Sequence, residues 1–206
     1  MNHQLDLFSS STSELPTEIE QSFDIEGLSL INNYISLEEE QALLAQIDAQ
    51  PWLLDLKRRV QHYGYKYDYR ARRIDVSMKI GALPDWANGL AERLQQEGYF
   101  KSIPDQVIVN EYEVGQGIAP HIDCEPCFED TIASLSLNST ATMNFTHTVT
   151  NEKVPVFLSQ RSLVIMKGES RYDWKHSIPA RKKDKTKENT YPRTRRVSLT
   201  FRSVIV

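Results

Sequence analysis

The sequence predicts an α+β domain in which helices come first and an antiparallel sandwich or barrel follows. Three observations carry this. A capping-box pattern precedes a helical apolar run, a proline opens a second such run, and the rest of the chain breaks into short β-type runs divided by turn residues. With 206 residues, 40% of them hydrophobic, the chain can fill one sizeable core.

Taken in order, residues 9–22 are rich in Ser, Thr and Glu and contain Pro16, so residues 1–22 read as a flexible tail and residues 23–206 as the folded domain. Ser36 and Glu39 form the capping box ahead of Leu37, Leu44 and Ile47, which predicts a helix ending near Pro51. Pro84 followed by Trp86, Leu90 and Leu94, with Gly98 beyond, predicts a second helix. Strands are expected over 106–110, 132–137, 142–145, 162–166 and 197–202.

The formal net charge is −4, and it is unevenly spread. Residues 1–50 hold ten acids and no Lys or Arg, whereas Lys57–Arg73 and Arg181–Arg196 each carry a local +6. Partners meet local charge, so the acidic total does not exclude a polyanion. The second basic segment reads as a mobile loop. No apolar run is long enough to cross a bilayer and no secretory leader is visible, so the expectation is a monomeric cytoplasmic protein without a membrane partner. Two cysteines, Cys124 and Cys127, suit a reducing compartment.

His121 and Asp123 are two residues apart, which puts two ligand-type side chains on one face of a strand or its end. A distant imidazole would complete a two-His-one-carboxylate triad, an arrangement suited to non-haem Fe(II) with open positions. His176 is the candidate; read alone, such a residue is more often a hydrogen-bonded histidine without a metal. Arg196 and Arg202 are an even six residues apart on an otherwise apolar run, hence cofacial, and inward guanidinium groups need anions. A dicarboxylate cosubstrate would supply them. Cys124 and Cys127 leave a second reading open, a zinc site with His121 and one further His.

These residues, together with the block from Asn110 to Asp123, resemble the AlkB family of Fe(II)- and 2-oxoglutarate-dependent dioxygenases, from about Leu56 to Arg202. The resemblance implies a double-stranded β-helix, or jelly roll, with supporting N-terminal helices. It implies that His121, Asp123 and His176 hold Fe(II), that Asn110 and Tyr112 contact 2-oxoglutarate, that Arg196 pairs with its distal carboxylate and that Arg202 lies near the metal-bound one. Where the family often carries a second Asn, two positions after the first arginine, this chain has Ser198. The implied reaction consumes O2 and 2-oxoglutarate and hydroxylates a C–H bond; an N-methyl group then leaves as formaldehyde.

On the substrate side, Arg59, Tyr63, Tyr65, Tyr67 and Tyr69 lie in a segment that interleaves cations with aromatics, as stacking on a base beside phosphates would require. On an extended strand these tyrosines share one face. Glu125 matches a position where base-repairing relatives often carry an acid that reads the base. The expected activity is oxidative demethylation of alkylated bases in DNA or RNA. The alternatives are hydroxylation of a tRNA wobble uridine, the branch most similar in these blocks though its further domains have no room here, and more remotely a protein demethylase or a catalytically silent nucleic-acid-binding module. Gln4, Leu5, Asp6, Leu7 and Phe8 resemble the short peptide by which bacterial repair proteins dock onto the sliding clamp.

Overall fold

A computed structural model describes residues 23–54 and 56–206. The 1–22 tail, and with it the clamp-like peptide, lies outside the described residues.

Both expected helices form where their caps place them. Helix α1 (Leu37–Asp48) starts at Ser36, whose hydroxyl accepts from the Glu39 amide while the Glu39 carboxylate accepts from the Ser36 amide, satisfying two otherwise orphaned donors. Helix α2 (Asp85–Gln96) follows Pro84 and buries Ala87, Leu90, Ala91 and Leu94, a stripe at helical spacing.

Every strand pairs antiparallel. One sheet has six strands, in the order β1 (Leu28–Ile31), β8 (Leu163–Met166), β5 (Phe128–Leu137), β12 (Arg196–Val204), β3 (Gln106–Tyr112) and β2 (Arg59–Tyr63). A second has four, in the order β4 (Ile118–His121), β9 (Trp174–Ile178), β6 (Ala141–His147) and β7 (Lys153–Leu158). This is the jelly roll with α1 and α2 packed outside the six-stranded sheet. The strands β1, β4, β7 and β9 had no separate signal in the sequence, being short or lying in runs broken by polar residues.

Alternation along the central strands sorts the interior into two layers. Val197, Leu199 and Phe201 of β12, with Val107 and Val109 of β3, pack under the helices against Leu43, Ile47 and Leu94. Their neighbours Arg196, Ser198, Thr200 and Arg202, with Ile108, Asn110 and Tyr112, face the other way into a cavity between the sheets. The closed part of that inner space is filled by Phe145, Val156, Leu158 and Trp174.

The segment 181–196 is not the loop expected from its charge. It forms a hairpin of β10 (Lys183–Lys185) and β11 (Thr190–Pro192). Fully buried Asp184 organises it, accepting from Arg181 and, through both oxygens, from Arg193 Nε at 2.5 Å and Nη2 at 2.9 Å. A charge run signals solvation only when its members lack buried partners, and here Arg193 has one.

Candidate active site

Strand pairing builds the triad. His121 ends β4 directly opposite His176 on β9, so their rings lie with centroids 4.3 Å apart. Asp123, just past the end of β4, turns back toward them, and one ligand atom from each of the three lies within 4.8 Å of the others. The Ala119 carbonyl lies 2.8 Å from His121 Nδ1; with the proton there, Nε2 keeps its lone pair toward the group.

The electrostatics suit a cation. Burial, with the His121 imidazole beside it, pushes His176 down to about 3, so its ring is neutral and able to ligate. Burial alone would raise the Asp123 carboxyl, but Arg202 and the two imidazoles outweigh it and hold the group well below the usual carboxylate range. Arg202 Nε donates to Asp123 Oδ2 at 3.0 Å, fixing one oxygen and leaving the other free. The backbone at Asp123 is held as well: Arg171, buried beneath it, donates through Nη1 to the Asp123 carbonyl at 3.0 Å.

The triad opens onto a cavity of about 390 Å³, within the range of small-molecule sites. On its floor Arg196 is 3% exposed. Its Nη2 donates to Ser136 Oγ at 2.7 Å and it lies over the Tyr112 ring at 5.4 Å, yet Nε and Nη1 are buried with no partner among the described residues. Burial pushes Arg196 down to about 10, so the guanidinium is still charged at neutral pH. A buried cation with two unmet donors is costly unless an anion arrives. A carboxylate fits, with Tyr112, Asn110 and Ser198 on the walls beside it.

The comparisons agree with this geometry. The model of the 2OG-Fe(II) oxygenase superfamily matches residues 27–202. An Arabidopsis thaliana protein named alkylated DNA repair protein ALKBH8 homolog is 38% identical over 90% of the chain and 60% of its own length. The chain belongs to the AlkB family of 2-oxoglutarate- and Fe(II)-dependent dioxygenases. A second AlkB relative, the Macaca fascicularis tRNA (carboxymethyluridine(34)-5-O)-methyltransferase ALKBH8, is 44% identical over 77% of the chain but only 25% of its own length. The chain therefore spans from a quarter to about three fifths of these curated relatives. The solved structure of OsALKBH1 shares the AlkB fold with a TM-score of 0.63 at 18% identity, over 89% of this chain and 99% of that one.

In an AlkB enzyme the bound iron and 2-oxoglutarate supply the oxidising chemistry; the residues of this cavity would hold, orient and shield them. His121, Asp123 and His176 could hold the metal, Arg196 has the donors for the distal carboxylate, and Arg202 orients Asp123. Met143, Met166, Phe128 and Ile178 give the cavity apolar walls that exclude water.

The expected substrate residues divide. Tyr67 lines the cavity, edge-on to Tyr69 at 5.1 Å and against Phe128. Tyr63 and Tyr65 do not line it. Strand β2 ends at Tyr63, which packs edge-on against Trp86 on the helix side, and Gly64 then turns the chain with a φ of +77°. Tyr65 is buried, with its carbonyl accepting from Gln106. Four tyrosines on one face is thus corrected: the alternation stops at Gly64.

Arg59 also lies on the helix side, paired with Glu111 and stacked over Trp52 at 5.0 Å. Its neighbour Arg58 enters the cavity instead and donates to Asn110 Oδ1 at 2.8 Å. The β2–β3 register sets Arg59 opposite Glu111 and Val60 opposite Asn110, so even-numbered residues of β2 share the face of Asn110. Only knowledge of that pairing could have selected Arg58. Glu125 is exposed and does not line the main cavity; with Lys175 it borders an adjoining outer hollow that shares Arg72, His121 and Asp123 with that cavity. Cys124 and Cys127 are joined to each other, with Cα atoms 5.3 Å apart, which corrects the expectation of reduced thiols and removes them from a zinc site.

Proposed function

We propose that this dioxygenase oxidatively demethylates alkylated bases in DNA or RNA. In this reading His121, Asp123 and His176 hold Fe(II), and Asn110, Tyr112, Arg196 and Arg202 hold 2-oxoglutarate. The observation that carries it is that one cavity is bordered by the triad, by Arg196 with its unmet donors, and by Arg58, Tyr67, Tyr69 and Arg72 of the basic segment. Tyrosine faces can stack an extruded base while cations meet phosphates, and placing both over an oxidising centre suits base chemistry.

Hydroxylation of a tRNA wobble uridine is the second reading. It is favoured by the 44% identity to the macaque relative, whose name carries that substrate. Aerobic incubation with Fe(II) and 2-oxoglutarate against methylated DNA, methylated RNA and tRNA, followed by nucleoside mass, separates the two. Formaldehyde with loss of a base methyl supports demethylation; gain of one oxygen on a tRNA uridine supports the second reading. Unchanged nucleosides in every panel would refute both.

The enzyme in this account works as a cytoplasmic monomer, tethered through Gln4, Leu5, Asp6, Leu7 and Phe8 to a bacterial sliding clamp. A short apolar peptide on a tail raises the local concentration of a catalytic domain near DNA. A peptide of residues 1–12 should bind the clamp and its Leu7→Ala/Phe8→Ala form should not; equal or absent binding by both would remove the tether.

A further inference from the structure

Charge inside the cavity bears on which bases can enter it, and the inference rests on the nucleobase reading above. Four guanidinium groups line the cavity, those of Arg58, Arg72, Arg196 and Arg202, against the single carboxylate of Asp123. Fe(II) and the 2-oxoglutarate dianion bring charges that cancel, so loading the site leaves the positive excess in place. Glu125 does not line the cavity itself; it borders the adjoining hollow, which shares Arg72, His121 and Asp123 with the cavity.

The arginines are not equivalent. Arg202 is committed to Asp123, and Arg196 sits buried on the floor with the donors suited to the cosubstrate. Arg58 is committed to no anion: its Nε donates to Asn110, its guanidinium is 5.8 Å from the Tyr112 ring centroid, and among the described residues no carboxylate is paired with it. The Tyr69 hydroxyl, on the same cavity, is buried with no hydrogen-bond partner among the described residues. Both groups can donate hydrogen bonds into the cavity, and Arg58 adds a charge that repels cations. At an effective dielectric of about 20, a like charge roughly 6 Å away weakens binding tenfold or more.

We propose that Arg58 is a specificity-determining residue that selects neutral or anionic bases presenting a carbonyl or carboxylate oxygen and turns away cationic alkylated bases. The consequence is a split among N-methylated bases that share a ring and a methyl position but differ in charge.

The matched pair is 3-methyluracil, neutral with a carbonyl at ring position 4, and 3-methylcytosine, cationic at neutral pH with an amino group there. Each is placed at one position of otherwise identical single strands and offered to the enzyme loaded with Fe(II) and 2-oxoglutarate in air. The methyl is oxidised to hydroxymethyl as 2-oxoglutarate and O2 become succinate and CO2, and formaldehyde then leaves. The wild type should favour 3-methyluracil by about tenfold or more in kcat/KM. Arg58→Glu should bring that ratio to one or below, and Arg58→Gln should fall between. A ratio within one enzyme cancels any general loss of folding or of 2-oxoglutarate binding, and Arg58→Gln serves if the glutamate variant does not fold. Preference for 3-methylcytosine in the wild type, or a ratio unchanged by the substitutions, overturns the proposal while leaving the nucleobase reading intact. If no alkylated base of any kind is oxidised, that reading fails and the proposal with it.

Discussion

The floor and the mouth of the cavity are built in opposite ways. Every side chain of the floor stands on a strand or at a strand end: Asn110 and Tyr112 on β3, Arg196 and Arg202 on β12, His176 on β9. The mouth is formed largely by irregular backbone between Gly64 and Arg73, where strand alternation no longer says which way a residue faces. Ladder hydrogen bonds fix the floor before anything binds, which suits groups that must hold a metal and a carboxylate in one geometry. A less regular mouth can take its shape from side-chain contacts, such as Tyr67 against Tyr69 and Phe128, and that is where substrate differences would be read.

The largest effect that would break this division is at the floor. His176→Ala should lower 2-oxoglutarate turnover by a factor on the order of 10³ or more, because two remaining ligands hold the metal poorly; circular dichroism should show the domain still folded. Activity near that of the wild type would take His176 out of the metal site. Arg196→Ala should raise the KM for 2-oxoglutarate about a hundredfold, the cost of losing a buried charge-assisted pair at roughly 3 kcal/mol. Arg196→Lys should recover only part of it, because an ammonium cannot reproduce the planar fork.

Gly64, where floor and mouth join, should show itself in stability. A Cβ there would lie 1.8 Å from the Asp105 carbonyl oxygen, on a backbone that already has positive φ. Gly64→Ala should cost on the order of 2–4 kcal/mol in urea unfolding; an unchanged midpoint would mean that the turn can relax. The smallest effect distinguishes two tyrosines. Tyr67→Ala should raise the KM for the nucleic acid about tenfold while leaving that for 2-oxoglutarate alone, since one base stack is worth about 1–3 kcal/mol. Tyr63→Ala, which empties a contact with Trp86, should lower stability and leave both KM values in place.

The same contrast explains what could be read from the sequence. Even spacing of Arg196 and Arg202 placed both on the cavity face because β12 is regular from Arg196 to Arg202, its register shifting only beyond, and Ser36 with Glu39 marked the start of α1 for an equally local reason. Arg58 and Arg171 were not legible. One depends on which residue of β2 opposes Asn110, the other on a four-residue helix (Glu169–Tyr172) that carries its side chain under Asp123, 48 positions away. The tyrosine segment misled because alternation was extended through Gly64, and the 181–196 hairpin because the burial of Asp184 leaves no mark in composition.

The central claim is that the triad and the basic, tyrosine-lined mouth serve one reaction on nucleic acid. Its most direct test measures succinate and modified nucleosides in the same reaction, with methylated DNA and RNA strands as substrates. The account predicts one succinate for each base oxidised, with both products lost in His176→Ala. Base oxidation that persists in that variant, or succinate formed at the full rate with every nucleoside unchanged, would contradict it.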